Sequence, residues 1–425
     1  MSYAIPHHPA DPIRWHVAIA AIFAALCAVR LTIPSTVYFD EVHYLPAVRN
    51  MLALSHATNL EHPPLGKELI ALGVILAGDN PLGWRIMPLL AGTLAIYAGM
   101  RALWFAAESR AASLLTGLFL VTGFPLLVHA RIAMLDIFML AFVLVGLWMC
   151  VGAVRENETA RWRLAIAGAA MGAAMASKWN AIPLAVLPGM TFLFARLRVA
   201  GWHFVDARRG WPVAGMPLWE AALWLGVLPM AIYAASYWPY PLLDKLPGNP
   251  SGLFALHADM LDLQTQVLEP HPYQSKWWQW IANQRGIWYL YEQADSAQRG
   301  ILLIGNPLSS LAALPALAWC AQAGWRNGRH DAGAVVILYL ASMALWILAP
   351  KAVQFYYHYA LPHCFGMAAL ALATERLWQR GERLVPTVIV LGSAGLFANF
   401  YPILTAAPLD GEMAFLDWAW IDGWR

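Results

Sequence analysis

The sequence predicts an all-α protein that crosses a membrane many times. Of its 425 residues, 60% are hydrophobic and only 12% are charged, whereas soluble domains carry about a quarter charged residues. Apolar runs long enough to span a bilayer recur along the whole chain, and many of the 22 tryptophans and 15 tyrosines stand at their ends. Such aromatic belts are typical of membrane interfaces. We therefore predict a polytopic membrane protein and exclude a large soluble core.

Eleven segments are predicted to be spanning helices. At a rise of 1.5 Å per residue each covers about 24–33 Å, which suits a hydrocarbon core of about 30 Å. They are residues 15–33, 83–104, 112–129, 133–153, 163–178, 180–195, 217–237, 300–320, 332–349, 359–376 and 385–402. The first run lacks a small-residue cleavage site, so we expect it to be retained. No linker or internal repeat divides the chain, and we predict one membrane domain over residues 1–425.

The arginines predict the orientation of these helices, because positive charge in short loops favours the cytoplasmic side. Five alternate loops carry the arginines. The groups, one for each loop, are Arg101/Arg110; Arg155/Arg161/Arg163; Arg196/Arg198/Arg208/Arg209; Arg326/Arg329; and Arg376/Arg380/Arg383. The N-terminus is then cytoplasmic and the C-terminus outside. Two large loops, residues 34–82 and 238–299, face the outside together with all five lysines, Lys67, Lys178, Lys245, Lys276 and Lys351.

Cysteine usage and charge distribution exclude other classes of site. The four cysteines, Cys27, Cys150, Cys320 and Cys364, all lie within apolar segments. We expect them to be buried thiols that form neither a disulfide nor a metal site. No tract rich in lysine and arginine indicates a nucleic-acid partner.

An acidic pair, Asp40 and Glu41, follows the first apolar helix within the aromatic-rich segment 38–44. Two carboxylates in a loop are ordinary, and solvation alone would explain them. A partly dehydrated carboxylate, however, has a raised pKa and is suited to take a proton from a hydroxyl. We therefore predict Asp40 and Glu41 as catalytic residues.

A second cluster, residues 61–67, contains Glu61, His62 and Lys67 around two prolines that favour the start of a helix. One interpretation is a surface loop that leads into an amphipathic helix of the first outside loop. The other is a rigid entrance where Glu61 and His62 bind a metal or a phosphate, or act as an acid/base pair. A cation site needs more ligands than this pair supplies.

The segment between the third and fourth predicted helices contains Arg131 and Asp136, with Asp136 about one turn inside an apolar run. A charge near the bilayer costs up to about 3 kcal/mol, so it indicates function by default. The alternative is a structural ion pair between Arg131 and Asp136.

Three further clusters of charged and aromatic residues lie at the same predicted face. They contain Lys178, Arg285, and Lys351 with His358. Interface anchoring would explain each cluster by itself. Cations that pair with phosphate, next to aromatic rings that line an apolar groove, would also suit a lipid phosphate.

Several motifs in these segments occur in a characteristic order from about residue 38 to residue 362. They are Asp40-Glu41-Val42-His43, His62-Pro63-Pro64-Leu65-Gly66-Lys67, Trp84-Arg85, Ala130-Arg131 through Asp136, Ser177-Lys178-Trp179, His271-Pro272-Tyr273 with Ser275 and Trp277-Trp278, Gly305-Asn306-Pro307, and Tyr357-His358-Tyr359 with Leu361-Pro362. In this combination they resemble the protein O-mannosyltransferases, polyprenyl-phosphate-sugar-dependent glycosyltransferases of the GT-C class, family 39. The resemblance implies a GT-C fold, and its eleven-helix topology agrees with the orientation given by the arginines.

The resemblance also implies an inverting transfer at the outer mouth of the helix bundle. Asp40 is expected to deprotonate the acceptor hydroxyl, and cations stabilise the polyprenyl phosphate that leaves. The residues expected to bind the donor's phosphate or sugar are Glu61, His62, Arg131, Asp136, Lys178, Arg285, Lys351 and His358. Residues 61–64 also resemble a metal-binding segment of the aminoarabinose lipid A transferases, which makes Glu61 a candidate ligand for a divalent metal cation.

The resemblance leaves the acceptor open. The first expectation is transfer of a hexose, mannose, to a protein Ser/Thr hydroxyl, and the alternative is a lipid, glycan or small-molecule acceptor. Eukaryotic members carry a large soluble insertion in the second outside loop, which is short here, so we expect a bacterial inner-membrane protein with a periplasmic active site. Family members often work as dimers, and the resemblance leaves a dimer of this protein as one alternative. A transporter, the distant alternative, would show charges inside helices and two repeated halves, whereas this sequence concentrates its charge at one membrane face and shows no repeat.

Overall fold

The computed structural model describes residues 10–243, 252–266, 269–348, 351 and 353–425. Its helices and strands in chain order are α1 (Ile13–Ala28), α2 (Glu41–Leu52), α3 (Leu65–Ala77), α4 (Pro81–Ala107), α5 (Arg110–Thr122), α6 (Pro125–His129), α7 (Asp136–Arg155), α8 (Ala160–Ser177), α9 (Ile182–Ala200), α10 (Leu218–Ala222), α11 (Leu228–Ala235), α12 (Leu253–Thr265), α13 (Trp277–Ile281), β1 (Ile287–Ala294), β2 (Ala297–Leu303), α14 (Pro307–Asn327), α15 (His330–Leu348), α16 (Ala360–Gln379) and α17 (Leu384–Leu404). A π-helical turn, Leu223–Val227, joins α10 to α11.

Each of the eleven predicted ranges contains a helix in the described residues. Six helical segments there are long and apolar enough to cross a membrane: Pro81–Ala107, Asp136–Arg155, Trp179–His203, Leu218–Leu242, His330–Leu348 and Leu384–Leu404. Helices α1 and α5 are apolar but shorter. The protein is therefore an integral membrane protein, while the number of eleven crossings stays a prediction. Residues 244–251 with Lys245, residues 267–268 of the second predicted outside loop, and residue 349 lie outside the described residues.

Helix α7 lies at the centre of the bundle, between α4 and α8. Its sequence is apolar on all sides, and 13 of its 20 residues are buried, as expected for a helix surrounded by other helices. Helix α8 approaches the π-helical turn and α11 closely because it carries glycines there. A Cβ at Gly168 would lie 1.9 Å from the carbonyl oxygen of Trp224, and one at Gly172 would lie 2.4 Å from that of Pro229.

Two helices, α2 and α3, fill the first predicted outside loop. The buried residues of α2 include Tyr44, Leu45 and Val48, a spacing that puts them on one face of the helix. The amphipathic α2 thereby packs on the end of the bundle and carries Asp40 at its N-terminus.

The prediction of an all-α fold is wrong over residues 287–303, which form an antiparallel hairpin of β1 and β2. The predicted helix 300–320 begins only at Pro307 in the structure. Asp295 and Ser296 both have positive φ, 47° and 61°, which is the backbone of a tight hairpin turn. The β-branched and aromatic residues on either side favour strands. The Asn306 side chain caps α14 by accepting from the N–H of Leu308 at 3.2 Å.

Candidate active site

Asp40 stands at the N-terminus of α2, half-buried at the surface of the bundle. Its carboxylate makes no capping hydrogen bond to the helix, so it is available to a substrate. Burial raises the pKa of Asp40 to about 6, and the charge of Asp136 acts in the same direction, whereas Lys178, His43 and Lys351 lower it. A carboxylate in this environment is a stronger base than an exposed aspartate and is still ionised at neutral pH.

The residue before this carboxylate, Phe39, has a left-handed backbone with φ of 48°. That conformation costs a bulky residue about 1–2 kcal/mol. The Phe39 ring stacks on Tyr289 of β1 with centroids 3.9 Å apart and meets Tyr357 edge-on at 6.1 Å. These aromatic contacts offset the strain and fix where the chain enters α2.

Glu41 turns away from Asp40 into a fully buried ion pair. Arg85 donates from Nε to Glu41 Oε1 at 2.8 Å and from Nη2 to Oε2 at 2.9 Å. The backbone N–H of Ala133 also donates to Oε1 at 3.1 Å. A buried carboxylate with this many donors holds the fold together. The structure thus gives the predicted catalytic residue Glu41 a structural role, joining α2 to α4 and to the segment before α7.

Lys178 and Asp136 form a second buried ion pair, with 2.7 Å between Lys178 Nζ and Asp136 Oδ2. Lys178 follows the last residue of α8, and Asp136 is the first residue of α7, where the helix dipole favours a negative charge. The ammonium of Lys178 also lies 5.1 Å from the centre of the Tyr357 ring. Two predicted donor-binding residues are thereby brought together next to Tyr357, whose ring also contacts Phe39 beside Asp40.

The alternative of an ion pair between Arg131 and Asp136 is wrong. The guanidinium of Arg131 donates to the backbone carbonyls of Cys27 and Val29, and to that of Arg30 at 2.9 Å. Cys27 lies in the last turn of α1, and Val29 and Arg30 follow that helix directly, at the end where the helix dipole makes a cation favourable. Arg131 therefore caps α1 and is not placed with Lys178.

Lys351 approaches the same region from the segment before α16. Its Nζ donates to Oε1 of Gln264 in α12 at 3.3 Å. Burial lowers the pKa of Lys351, and the nearby positive charge of Lys178 lowers it further. Two ammonium groups from distant parts of the chain thus lie close enough to repel each other, an arrangement that an anion would relieve.

His62 is half-buried and His358 is buried, and both lie near these lysines. Burial, with Lys178 as the next cause, holds the pKa of each imidazole well below its usual range, so both rings are neutral at pH 7. His358 stacks on Trp346 with centroids 3.8 Å apart, and its Nδ1 accepts from the N–H of Phe355 at 3.1 Å. Its proton is therefore on Nε2.

Glu61 does not form a metal site with the residues around it. Its Oε1 accepts from Nδ2 of Asn59 at 2.7 Å, and Lys67 donates to the backbone oxygens of Asn59 and His62 at 2.6 and 3.0 Å. Over the described part of the chain, no three His, Cys, Asp or Glu side chains converge as ligands. A divalent cation does not fit beside one engaged carboxylate and an ammonium group.

Like Arg131, the predicted donor-binding residue Arg285 is not placed with Lys178 and Lys351. It donates from Nη2 to the carbonyl of Pro272 at 2.5 Å. Sequence reasoning missed Gln264, because a neutral amide carries no signal of charge. The spacing of the buried Leu256 and Met260 in α12 could have revealed the helix that carries it.

The arrangement can deprotonate a hydroxyl and stabilise an anion at the end of a membrane-spanning bundle. These are the requirements of a transferase that uses a lipid phosphate as its leaving group. Two solved structures share the fold. The solved S. cerevisiae protein O-mannosyltransferase Pmt1–Pmt2 complex bound to the sugar donor is similar with a TM-score of 0.81 at 14% identity, covering 99% of this chain and 93% of that one. ArnT from Cupriavidus metallidurans bound to undecaprenyl phosphate is similar at 0.62 and 19% identity, over 92% and 65%. Both show the GT-C fold.

Two family models match along the sequence. Residues 61–203 match the dolichyl-phosphate-mannose-protein mannosyltransferases, and residues 250–424 match the C-terminal four-helix region of protein-O-mannosyltransferase. The polyprenol-phosphate-mannose–protein mannosyltransferase of Mycolicibacterium smegmatis is 27% identical over 96% of this chain and 93% of its own. That of Corynebacterium glutamicum is 26% identical over 98% and 94%. The chain belongs to the protein O-mannosyltransferase family.

Proposed function

We propose that this protein is an inverting glycosyltransferase that moves mannose from a polyprenyl-phosphate donor to a Ser/Thr hydroxyl of a protein. The names of its relatives support both the donor and the protein acceptor. One observation in the structure carries the proposal: the carboxylate of Asp40 is half-buried, and the positive charges of Lys178 and Lys351 are near enough to lower its pKa. A general base and an anion site stand together there.

In the proposed reaction Asp40 accepts the proton of the acceptor hydroxyl. The hydroxyl oxygen then bonds to the anomeric carbon from the face opposite the phosphate, and the bond between that carbon and the phosphate oxygen breaks. Polyprenyl phosphate leaves with the electron pair, and Asp40 later returns its proton to water. With a pKa of about 6, Asp40 is about nine-tenths ionised at pH 7.

Lys178 and Lys351 bind the phosphate of the donor and stabilise the charge that develops as it leaves. Removal of one such positioned donor typically lowers kcat by about 100- to 1000-fold. Asp136 keeps Lys178 in place through the 2.7 Å ion pair. The neutral His62 and His358 add uncharged hydrogen-bond donors nearby, so the site attracts an anion without more fixed charge.

The proposal has three finer parts. The reaction takes place at the periplasmic face of a bacterial inner membrane, the C-terminus is outside, and the chain crosses the membrane eleven times. The arginines in alternate loops support this orientation. A homodimer belongs to the proposal only through the family resemblance.

The test is to incubate the purified protein with polyprenyl-phosphate-mannose and membranes of its host, and to identify by mass spectrometry the molecule that gains a hexose. We expect mannose on protein Ser/Thr with the wild type and none with Asp40→Asn. A hexose found on a lipid or glycan would overturn the acceptor, and undiminished transfer by Asp40→Asn would overturn the base.

A further inference from the structure

Gln264 joins three of the donor-binding candidates, Glu61, His62 and Lys351, through a single amide group. Its Nε2 donates to the backbone oxygen of Glu61 at 2.6 Å and lies 3.3 Å from Nδ1 of His62. Its Oε1 accepts from Nζ of Lys351 at 3.3 Å. Helix α12 thereby connects the segment before α3 with the segment before α16.

The partners of this amide determine its orientation. A carbonyl oxygen accepts and an ammonium group only donates, so the NH₂ must face Glu61 and the oxygen must face Lys351. Rotation of the amide by 180° would place its oxygen against the Glu61 carbonyl oxygen and its NH₂ against the Lys351 ammonium group. The geometry of Gln264 therefore has one satisfied state.

This orientation also fixes the tautomer of His62. Because the amide NH₂ donates to Nδ1, the single proton of the neutral imidazole is on Nε2. Gln264 thus leaves His62 with an N–H donor that the amide does not use, and Lys351 with two further ammonium hydrogens.

The other end of α12 is anchored next to Lys178. His257 lies two turns before Gln264, and its Nε2 is 2.7 Å from the hydroxyl of Tyr233. The same hydroxyl accepts from Nε1 of Trp179, the residue after Lys178, at 2.9 Å. Residues seven apart lie on one face of a helix. One face of α12 therefore contacts both sides of the site: His257 contacts the side next to Lys178, and Gln264 contacts Lys351.

We infer that Gln264 is a positioning residue for the phosphate of the donor: it holds the ammonium of Lys351 and the Nε2–H of His62 in one fixed geometry. This inference rests on the proposed function for the identity of the donor. Gln264 itself makes no contact that the reaction requires, and it acts through its two neighbours.

The test compares Gln264→Leu with the wild type by measuring KM separately for polyprenyl-phosphate-mannose and for the acceptor. Loss of a hydrogen bond to a charged group corresponds to roughly a 10- to 100-fold change. We expect the donor KM of Gln264→Leu to rise by about this factor and the acceptor KM to stay unchanged. Gln266→Leu is the matched control, since Gln266 is exposed at the end of the same helix, and it should behave as the wild type.

The double variant Gln264→Leu/Lys351→Met distinguishes positioning from an independent effect. Because Gln264 acts through both Lys351 and His62, the loss of donor affinity in the double variant should be smaller than the product of the two single losses. Multiplied losses in the double variant, or an unchanged donor KM in Gln264→Leu, would overturn the inference. A raised acceptor KM or a Tm lowered by more than the control would show a structural role instead.

Thermal stabilisation by polyprenyl phosphate alone separates this inference from the proposed function. If the wild type binds polyprenyl phosphate but transfers no mannose, the proposed function fails. The comparison of Gln264→Leu with the wild type in that binding assay still decides whether Gln264 positions the phosphate site.

Discussion

The ammonium nitrogen of Lys178 lies 2.7 Å from a carboxylate oxygen of Asp136, and both side chains are at least 95% buried. The two residues end one helix and begin another, at the end of the bundle where Asp40 stands. A buried pair gains little net stability over apolar residues, but removal of one partner costs about 3–5 kcal/mol. This pair therefore keeps a cation in a place where an apolar contact would have been sufficient for the fold.

Asp136→Asn should lower both the Tm and the affinity for polyprenyl phosphate, because it leaves Lys178 buried without its counter-charge. The combined variant Asp136→Asn/Lys178→Met should regain most of the Tm and remain inactive. Thermal unfolding in detergent and a transfer assay measure the two effects. Activity in the combined variant would show that Lys178 has no part in phosphate binding.

The rate should depend on pH through the ionisation of Asp40. The base must be deprotonated, and burial raises its pKa from 3.8 to about 6. As pH falls through about 6, we expect kcat/KM to decline by a factor of ten per unit. Asp40→Asn should lose about 10²–10⁴-fold activity and show no such limb. An acid limb near pH 4 with the wild type would contradict the dehydrated environment of Asp40.

Arg131 and Lys351 should differ in what their removal does. Arg131→Ala leaves the last carbonyls of α1 without their donor, so we expect a loss of about 3 kcal/mol or more in stability. Its effect on donor KM should be small in the folded fraction. Lys351→Met should raise the donor KM at least tenfold and lower kcat as well, with little change in Tm. Equal donor affinities in the two variants would contradict the different places that the structure gives them.

Chelation of metal should not change the rate. Glu61 is hydrogen-bonded to Asn59 and lies near the ammonium of Lys67, an arrangement that disfavours a divalent cation. EDTA is therefore expected to leave the kcat of the wild type and of Glu61→Gln unaltered. A loss that Mg²⁺ or Mn²⁺ reverses in the wild type, and that Glu61→Gln does not show, would establish the metal site.

Hydropathy predicted where the helices lie, because spanning segments must be continuously apolar over about 20 residues. It could not predict partners. Arg131 stands five residues from Asp136, and proximity in sequence favoured a pair between them, yet Lys178 takes that place from 42 residues away. The choice is made by the packing of α7 against α8, which no local pattern expresses.

The candidate site was predictable only where charge stood out from an apolar background. Asp40, Lys178 and Lys351 were proposed as site residues in this way. Glu41 looked equivalent to Asp40, since nothing in the dipeptide tells which carboxylate will meet Arg85, 44 residues further on. The hairpin of β1 and β2 was missed because a short apolar run is compatible with helix and strand alike.

The stacking of Phe39 on Tyr289 has a consequence for how the protein is made. The proposed base, Asp40, is near the beginning of the chain, while Tyr289 and Tyr357, whose rings contact Phe39 beside it, come from beyond the midpoint of the chain. A ribosome must therefore complete more than 80% of the 425 residues before Asp40 has its full surroundings. Until then the nascent chain carries an ordinary aspartate, and the proposed catalytic carboxylate is among the last features of the molecule to mature.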